Sequence, residues 1–183
     1  MDGTARDNGR AGNVVIRRAG PADAPAIAAI YNHEVENETS TFDLVPRTLQ
    51  DQLDWQNARE GAFAVVVAEW TGGPGPAEVV GFGALSPYKE RAAYRTTVED
   101  SVYVRRDMGR HGIGRAILSH LLDTADDGGF HAVMARITTL STGSVALHEA
   151  LGFRTVGIER EVGRKFNTWL DVCLMQVLLH ERS

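Results

Sequence analysis

The chain has 183 residues, 43% hydrophobic and 23% charged, with a net charge of −5, which suits one compact domain with its own core and argues against a general nucleic-acid-binding surface. Its single cysteine, Cys173, excludes an intrachain disulfide framework and a cysteine-built zinc site, and fits a reducing, cytoplasmic setting. No apolar run reaches the roughly 20 residues needed to span a bilayer, so neither nucleic acid nor membrane is expected as a partner.

In chain order, residues 1–12 (MDGTARDNGRAG) are small and polar without a period, which predicts a flexible N-terminal tail ahead of a single domain over 13–180. Asn13 to Arg17 reads as a strand. Asp23-Ala-Pro25 opens a helix with proline in its first turn, and Ile27, Ile30 and Tyr31 mark its apolar face. Thr48 and Asp51 have the spacing of a capping box for a second helix. Phe63 to Ala68 is a β-rich run, Gly72 to Pro76 must turn, and Glu78 to Ser86 returns as the second arm of a hairpin.

Pro87 to Thr97 reads as a polar loop rich in tyrosine and arginine. Ser101 to Val104 is a strand, Gly109 to Gly114 a glycine turn, and Ile113 to Ala125 an amphipathic helix with Ile117, Leu118, Leu121 and Leu122 inward. His131 to Ile137 is a strand and Ser144 to Leu151 a short helix. The last strands are placed near Arg154–Glu159 and Trp169–Leu179. The order predicts an α/β fold with helices on a mixed sheet, antiparallel at first and ending in a strand–helix–strand unit.

The chemistry concentrates between Val102 and Ala116. A strand, a glycine turn and a helix follow one another, and such a turn aims free backbone N–H groups at an anion where the helix dipole favours it. Four arginines (Arg105, Arg106, Arg110, Arg115) and His111 cluster there in an otherwise acidic chain. A dinucleotide fingerprint fails because Ile117 stands where the third glycine belongs. A nucleotide-triphosphate loop fails because Arg115 and Ala116 replace its lysine and hydroxyl. Spacing alone leaves an ordinary glycine turn open.

Two blocks in this order resemble the GNAT superfamily of acyl-CoA N-acyltransferases. The first, Gly109-Arg-His-Gly112-Ile-Gly114, is similar to the family's pyrophosphate loop, with Gly109 where glutamine or arginine is usual and Arg110 one residue later. The second, Ser141 to Phe153 (STGSVALHEALGF), resembles the block that ends in an aromatic or histidine followed by Gly-Phe, with Ser141 in place of asparagine. The phosphinothricin and methionine-sulfoximine acetyltransferase branch is the nearest likeness. It is carried by Tyr31-Asn32, Thr41-Phe42, Tyr94-Arg95, Glu99, Ser101 to Val104, His148 to Phe153, Gly163-x-Lys165-Phe166 and Trp169-x-Asp171, and covers about Val14 to Leu178.

That resemblance implies a GNAT-like, mostly antiparallel sheet flanked by helices, acetyl-CoA as co-substrate, no metal, a small-molecule amine acceptor and a homodimer. It implies that Val102, Tyr103, Val104, Arg110, His111, Gly112, Ile113, Gly114, Arg115, Ser141 and Ser144 hold the cofactor, whose pantetheine arm runs beside Val102 to Val104.

Amide formation needs a neutral amine and a proton acceptor. Glu99, read as lying just before the strand, is either that base or a solvated charge; the family likeness favours the base. His148, between Leu147 and Leu151, is acid, base or orienter. Cys173 lies in an apolar run and reads as an inert small hydrophobe, so direct transfer in a ternary complex is expected. The loop after Pro87 offers Arg91, Tyr94 and Arg95 beside Glu99, with Tyr31 and Phe42, for an acceptor that carries a carboxylate. Acetyl transfer to a polyamine or protein amine, and a non-catalytic acyl-CoA sensor, are the competing functions.

Overall fold

The computed structural model describes residues 13–182; the tail expected over 1–12 lies outside the described residues. Seven strands form one sheet: β1 (Val14–Arg18), β2 (Val66–Trp70), β3 (Glu78–Pro87), β4 (Thr97–Val104), β5 (Ala132–Thr138), β6 (Arg154–Lys165) and β7 (Thr168–Leu178), in the order β1-β2-β3-β4-β5-β7-β6. Every neighbouring pair is antiparallel except β4–β5. Four α-helices accompany them: α1 (Ala24–Asn37), α2 (Leu49–Asn57), α3 (Ile113–Asp127) and α4 (Thr142–Glu149).

α3 is the crossover between the two parallel strands. It buries Ile113, Ile117, Leu118, Leu121, Leu122 and Ala125, a three-to-four-residue spacing that makes one apolar stripe. The stripe meets β3 closely because Gly83 carries no side chain there: a Cβ at Gly83 would stand 2.5 Å from Ile117. On the opposite face α1 contributes Ile27, Ile30, Tyr31 and Val35, packed with Val65, Val67, Phe82 and Ala84. α2 starts at the capping box read from the sequence. Thr48 Oγ1 accepts from the Asp51 N–H at 3.1 Å, and an Asp51 carboxylate oxygen accepts from the Thr48 N–H at 2.9 Å.

Several boundaries differ from the expectations. β2 starts at Val66, not Phe63, because Gly61 takes φ +59° in a single 3-10 turn over Gly61–Phe63. β4 starts at Thr97, not Ser101, so Glu99 is inside the strand: Glu99 pairs with Ser86 and Val98 with Pro87. The polar pair Glu99-Asp100 hid this, since its two side chains leave opposite faces and mimic a loop. α4 starts two residues early, at Thr142, which puts Ser144 in its first turn.

One topological detail positions the site. β4 and β5 are paired at only three positions, Thr97↔Ala132, Val98↔Val133 and Glu99↔Met134. Beyond them the strands part, while β4 continues against β3 to Val104 and β5 continues against β7 to Thr138. The facing edges of both strands therefore keep backbone N–H and C=O groups without a strand partner, groups that otherwise demand hydrogen bonds.

Candidate active site

A cleft of about 710 Å³ opens where β4 and β5 part. Its walls are the diverging edges, Ser101 to Val104 and Ala135 to Thr138; its far end is the turn from Arg106 to Arg115, and α4 closes one side with Ser141, Gly143, Ser144, Leu147 and His148.

The turn is shaped by its glycines. Gly112 is the N-cap of α3 with φ +78° and ψ 2°, and Arg110 also has a positive φ of 65°. Only glycine takes this conformation without cost. The first intrahelical acceptor, the Gly112 carbonyl, serves the Ala116 N–H, so the N–H groups of Ile113, Gly114 and Arg115 have no helical partner and stand at the cleft's end. A Cβ on Gly114 would lie 3.2 Å from Leu147, so this glycine lets α3 and α4 close together. Gly109 differs: φ −62° and ψ 149° suit any residue, and a Cβ there would come no nearer than 3.7 Å to another atom. With α4, two helix N-termini flank one concave surface, an arrangement that favours anions.

At the other end the two sheet faces contribute different acids. Glu99 projects on the face covered by α1, half-buried at the cleft wall. Burial pushes its carboxyl above its ordinary value; Arg136 opposes this, and Asp100 and Glu159 reinforce it. Asp100 projects on the α3/α4 face, where its Oδ2 lies 3.1 Å from His148 Nε2. His148 Nδ1 lies 2.7 Å from the Ser144 carbonyl, which can only accept, so Nδ1 carries a proton. Burial alone would depress the His148 pKa, but the hydrogen bond and charge of Asp100 with the Ser144 carbonyl outweigh it, and the imidazole sits above its ordinary value. The second Asp100 oxygen, Oδ1, is buried without a protein partner.

The expected residues separate clearly. Glu99, His148, Val102, Tyr103, Val104, Arg110, Gly112, Gly114, Arg115, Ser141, Ser144 and Phe42 all line the cleft. His111 and Ile113 do not: His111 sets its ring edge against Trp70 at 5.4 Å, and Ile113 is 1% exposed in the core. Tyr31 lies one layer back, bonded to Asp43 at 2.6 Å and Thr41 at 2.9 Å, with its ring against Tyr103. Arg91 and Tyr94 border a separate depression with Lys89 and Glu90, and Arg95 lines neither. That loop turns outward through a 3-10 turn at Ala92–Tyr94, which no sequence signal marked.

The sequence marks neither Glu34 nor Arg136, both of which line the cleft. Glu34 is nearly buried and bonded to Ser40 and to Arg106, whose Nε donates to Glu34 Oε1 at 2.7 Å. Lys165, 4% exposed, donates to the carbonyls of Glu34 at 3.1 Å and Thr41 at 2.9 Å, and burial lowers its pKa. It stands behind the wall and ties β6 to the strap that carries Phe42. Phe42 rests on Gly163, where a Cβ would stand 2.2 Å away. Arg136 also lines the cleft.

Comparison with known proteins bears on this geometry. The profile of the family described as Acetyltransferase (GNAT) domain matches residues 16–174. The L-methionine sulfoximine/L-methionine sulfone acetyltransferase of Pseudomonas paraeruginosa is 38% identical, over 90% of this chain and 94% of that protein. The phosphinothricin N-acetyltransferase of Streptomyces viridochromogenes is 37% identical, over 89% and 86%. The solved structure of yncA from Salmonella typhimurium with its cofactor acetyl-CoA superposes with a TM-score of 0.86 at 35% identity, covering 94% of this chain and 97% of that one.

Proposed function

Because this chain belongs to the GNAT acetyltransferase family, we propose that it transfers the acetyl group of acetyl-CoA to the α-amine of a small amino acid of the methionine sulfone, methionine sulfoximine or phosphinothricin type. The observation that carries the reading is the parting of β4 from β5 between a glycine turn at a helix N-terminus and the adjacent acids Glu99 and Asp100. The activities of the relatives named above supply the acceptor class.

The residues present fit the cofactor. The free N–H groups at the start of α3, with Arg110 and Arg115, suit a pyrophosphate. The unpaired edge of β4 from Ser101 to Val104 suits an extended amide-bearing arm added like a strand. Ser141 and Ser144 line the side of the same channel. When bound, acetyl-CoA supplies the thioester carbonyl that the amine attacks.

Glu99 takes a proton from the acceptor ammonium, whose ordinary pKa is about 8; a carboxyl lifted by burial is better matched to that task than an ordinary one. The departing sulfur takes the second proton that the nitrogen gives up, and His148, with both ring nitrogens engaged by Asp100 and the Ser144 carbonyl, holds α4 against β4 beside the cleft. The N–C bond forms as the C–S bond breaks, and protons balance without a covalent enzyme intermediate. Cys173 is buried in the sheet core, away from the cleft lining.

We read residues 13–180 as one catalytic domain in a cytoplasmic homodimer. Val156, Ile158, Val162, Phe166 and Trp169 are all about half exposed on the edge hairpin β6–β7, an apolar surface of the kind that subunit contacts cover. Acetylation of inhibitors of the phosphinothricin kind would confer resistance to them. The test is a thiol-release assay with acetyl-CoA and a panel of amines. Turnover of methionine sulfone, methionine sulfoximine or phosphinothricin well above that of polyamines supports the proposal. Preference for polyamines refutes the acceptor, and the absence of turnover together with tight acetyl-CoA binding favours a sensor.

A further inference from the structure

Two walls of the cleft meet at one buried carboxylate. Glu34, near the C-terminal end of α1, has a side chain only 5% exposed, and a carboxylate taken out of water needs several donors to hold it there. It receives them from two directions. Ser40, on the strap between α1 and α2, donates its hydroxyl to Oε2. Arg106, in the turn that follows β4, donates Nε to Oε1 at 2.7 Å and Nη2 to Oε2 at 2.5 Å. Glu38, one helical turn on, lies 3.4 Å from the same Nη2. Glu34, Ser40 and Arg106 all line the cleft.

The strap is pinned at both ends. At the near end Ser40 is bonded to Glu34. At the far end Phe42 rests on Gly163 of β6, and Lys165 donates to the Thr41 carbonyl. Residues 40–42 therefore run from α1 to β6 along the cleft wall. Arg106 stands between this strap and the glycine turn, because it opens the 3-10 turn Arg106–Met108 directly before Gly109. Its side chain is 51% exposed, and Nη1 has no hydrogen-bond partner among the described residues. A guanidinium is a rigid fork with five N–H donors, so it can serve two anions at once. Glu34 occupies the Nε–Nη2 edge and leaves the Nη1 donors to the cleft that Arg106 lines.

We infer that Arg106 is a further acetyl-CoA contact, its Nη1 donating to the cofactor's pyrophosphate, and that through Glu34 and Ser40 it positions the strap that carries Phe42. The inference rests on acetyl-CoA occupying this cleft and does not depend on which amine accepts the acetyl group. Pyrophosphate, guanidinium, carboxylate and hydroxyl then alternate as acceptor and donor along one chain, and each bond polarises the next. An anion on Nη1 fixes the guanidinium, the fixed guanidinium holds the Glu34 carboxylate still, and that carboxylate holds Ser40. Opening of the strap thereby becomes coupled to the binding of the cofactor. The wall that meets the acceptor is firmest when the acetyl donor is in place.

The test is amide hydrogen exchange of the whole protein with and without saturating coenzyme A. The readout is the ratio of the two exchange rates over residues 39–45, since a strap loosened equally in both states keeps its ratio. In the natural protein coenzyme A slows that segment about 5-fold or more. Ser40→Ala cuts the strap from Glu34 and leaves the ion pair whole, so the slowing disappears while coenzyme A affinity by calorimetry stays near the natural value. Arg106→Met alone would leave a buried carboxylate uncompensated, so it is combined with Glu34→Gln. The paired variant loses the slowing and binds coenzyme A about 10-fold more weakly, the loss of one charged hydrogen bond. Ser40→Ala alone decides the relay if the paired variant does not fold. Slowing that is absent from the natural protein or survives in either variant, or natural coenzyme A affinity in the paired variant, overturns the inference and leaves the acetyltransferase reading intact. A natural protein that binds no coenzyme A overturns the acetyl-CoA reading and Arg106 with it.

Discussion

Asp100 and His148 join β4 to α4 through a single contact, Oδ2 to Nε2 at 3.1 Å, with side chains only 3% and 4% exposed. The pair crosses the base of the cleft from the face opposite Glu99, and it sets the charge of the imidazole. Asp100→Asn should therefore lower the His148 pKa. A basic group raised in the folded state adds stability that is complete below its unfolded pKa of about 6.5 and is lost as pH rises through the folded value. The variant's deficit, about 1–3 kcal/mol for a disrupted buried charged hydrogen bond, should be largest near pH 6 and shrink at alkaline pH. Urea titrations at both pH values, with an NMR titration of the His148 ring, measure it.

The glycine turn gives a graded prediction. Gly112 sits at φ +78°, so Gly112→Ala should cost about 1–2 kcal/mol by forcing a side chain into the left-handed region. Gly114→Val should weaken coenzyme A binding, because its branched side chain meets Leu147 where a bare Cβ already lies at 3.2 Å. Gly109→Gln meets open space in a backbone conformation any residue adopts. It should change stability by no more than about 0.5 kcal/mol and bind coenzyme A at least as tightly as the natural protein. Thermal denaturation and calorimetry separate the three.

Lys165→Met removes the two hydrogen bonds that tie β6 to the carbonyls of Glu34 and Thr41. Leaving two buried acceptors unmet should cost about 1–3 kcal/mol. Since Thr41 adjoins Phe42 on the cleft wall, KM for the acceptor should rise while acetyl-CoA affinity holds. Chemical denaturation and steady-state kinetics read the two effects separately.

Much of this was legible in the residues. The 3.6-residue stripe of α3 and the Thr48–Asp51 cap announced their helices, and the glycines from Gly109 to Gly114 marked the turn that ends the cleft. The resemblance singled out Glu99 and His148, and the fold brings both to one cleft. The acceptor end was legible only in part. Arg91 and Arg95 are near Glu99 in sequence but do not line the cleft of the single chain, whereas Arg136 lines it from β5 through a register that no local pattern contains. Asp100 was hidden for a related reason: its role depends on α4 crossing beneath it, 48 residues later. Glu34, on α1, looks like a solvated charge until the chain folds around it.

The most direct test of the account is the rate of acetyl transfer by Glu99→Gln across pH 6 to 9, measured beside its acetyl-CoA affinity. Glu99 lines the cleft with a pKa raised by burial, and general-base catalysis is worth about 10²–10⁴-fold. The predicted result is a loss of kcat within that range, disappearance of the acid limb of the profile and unchanged cofactor binding. Full kcat with an unshifted profile would contradict the account.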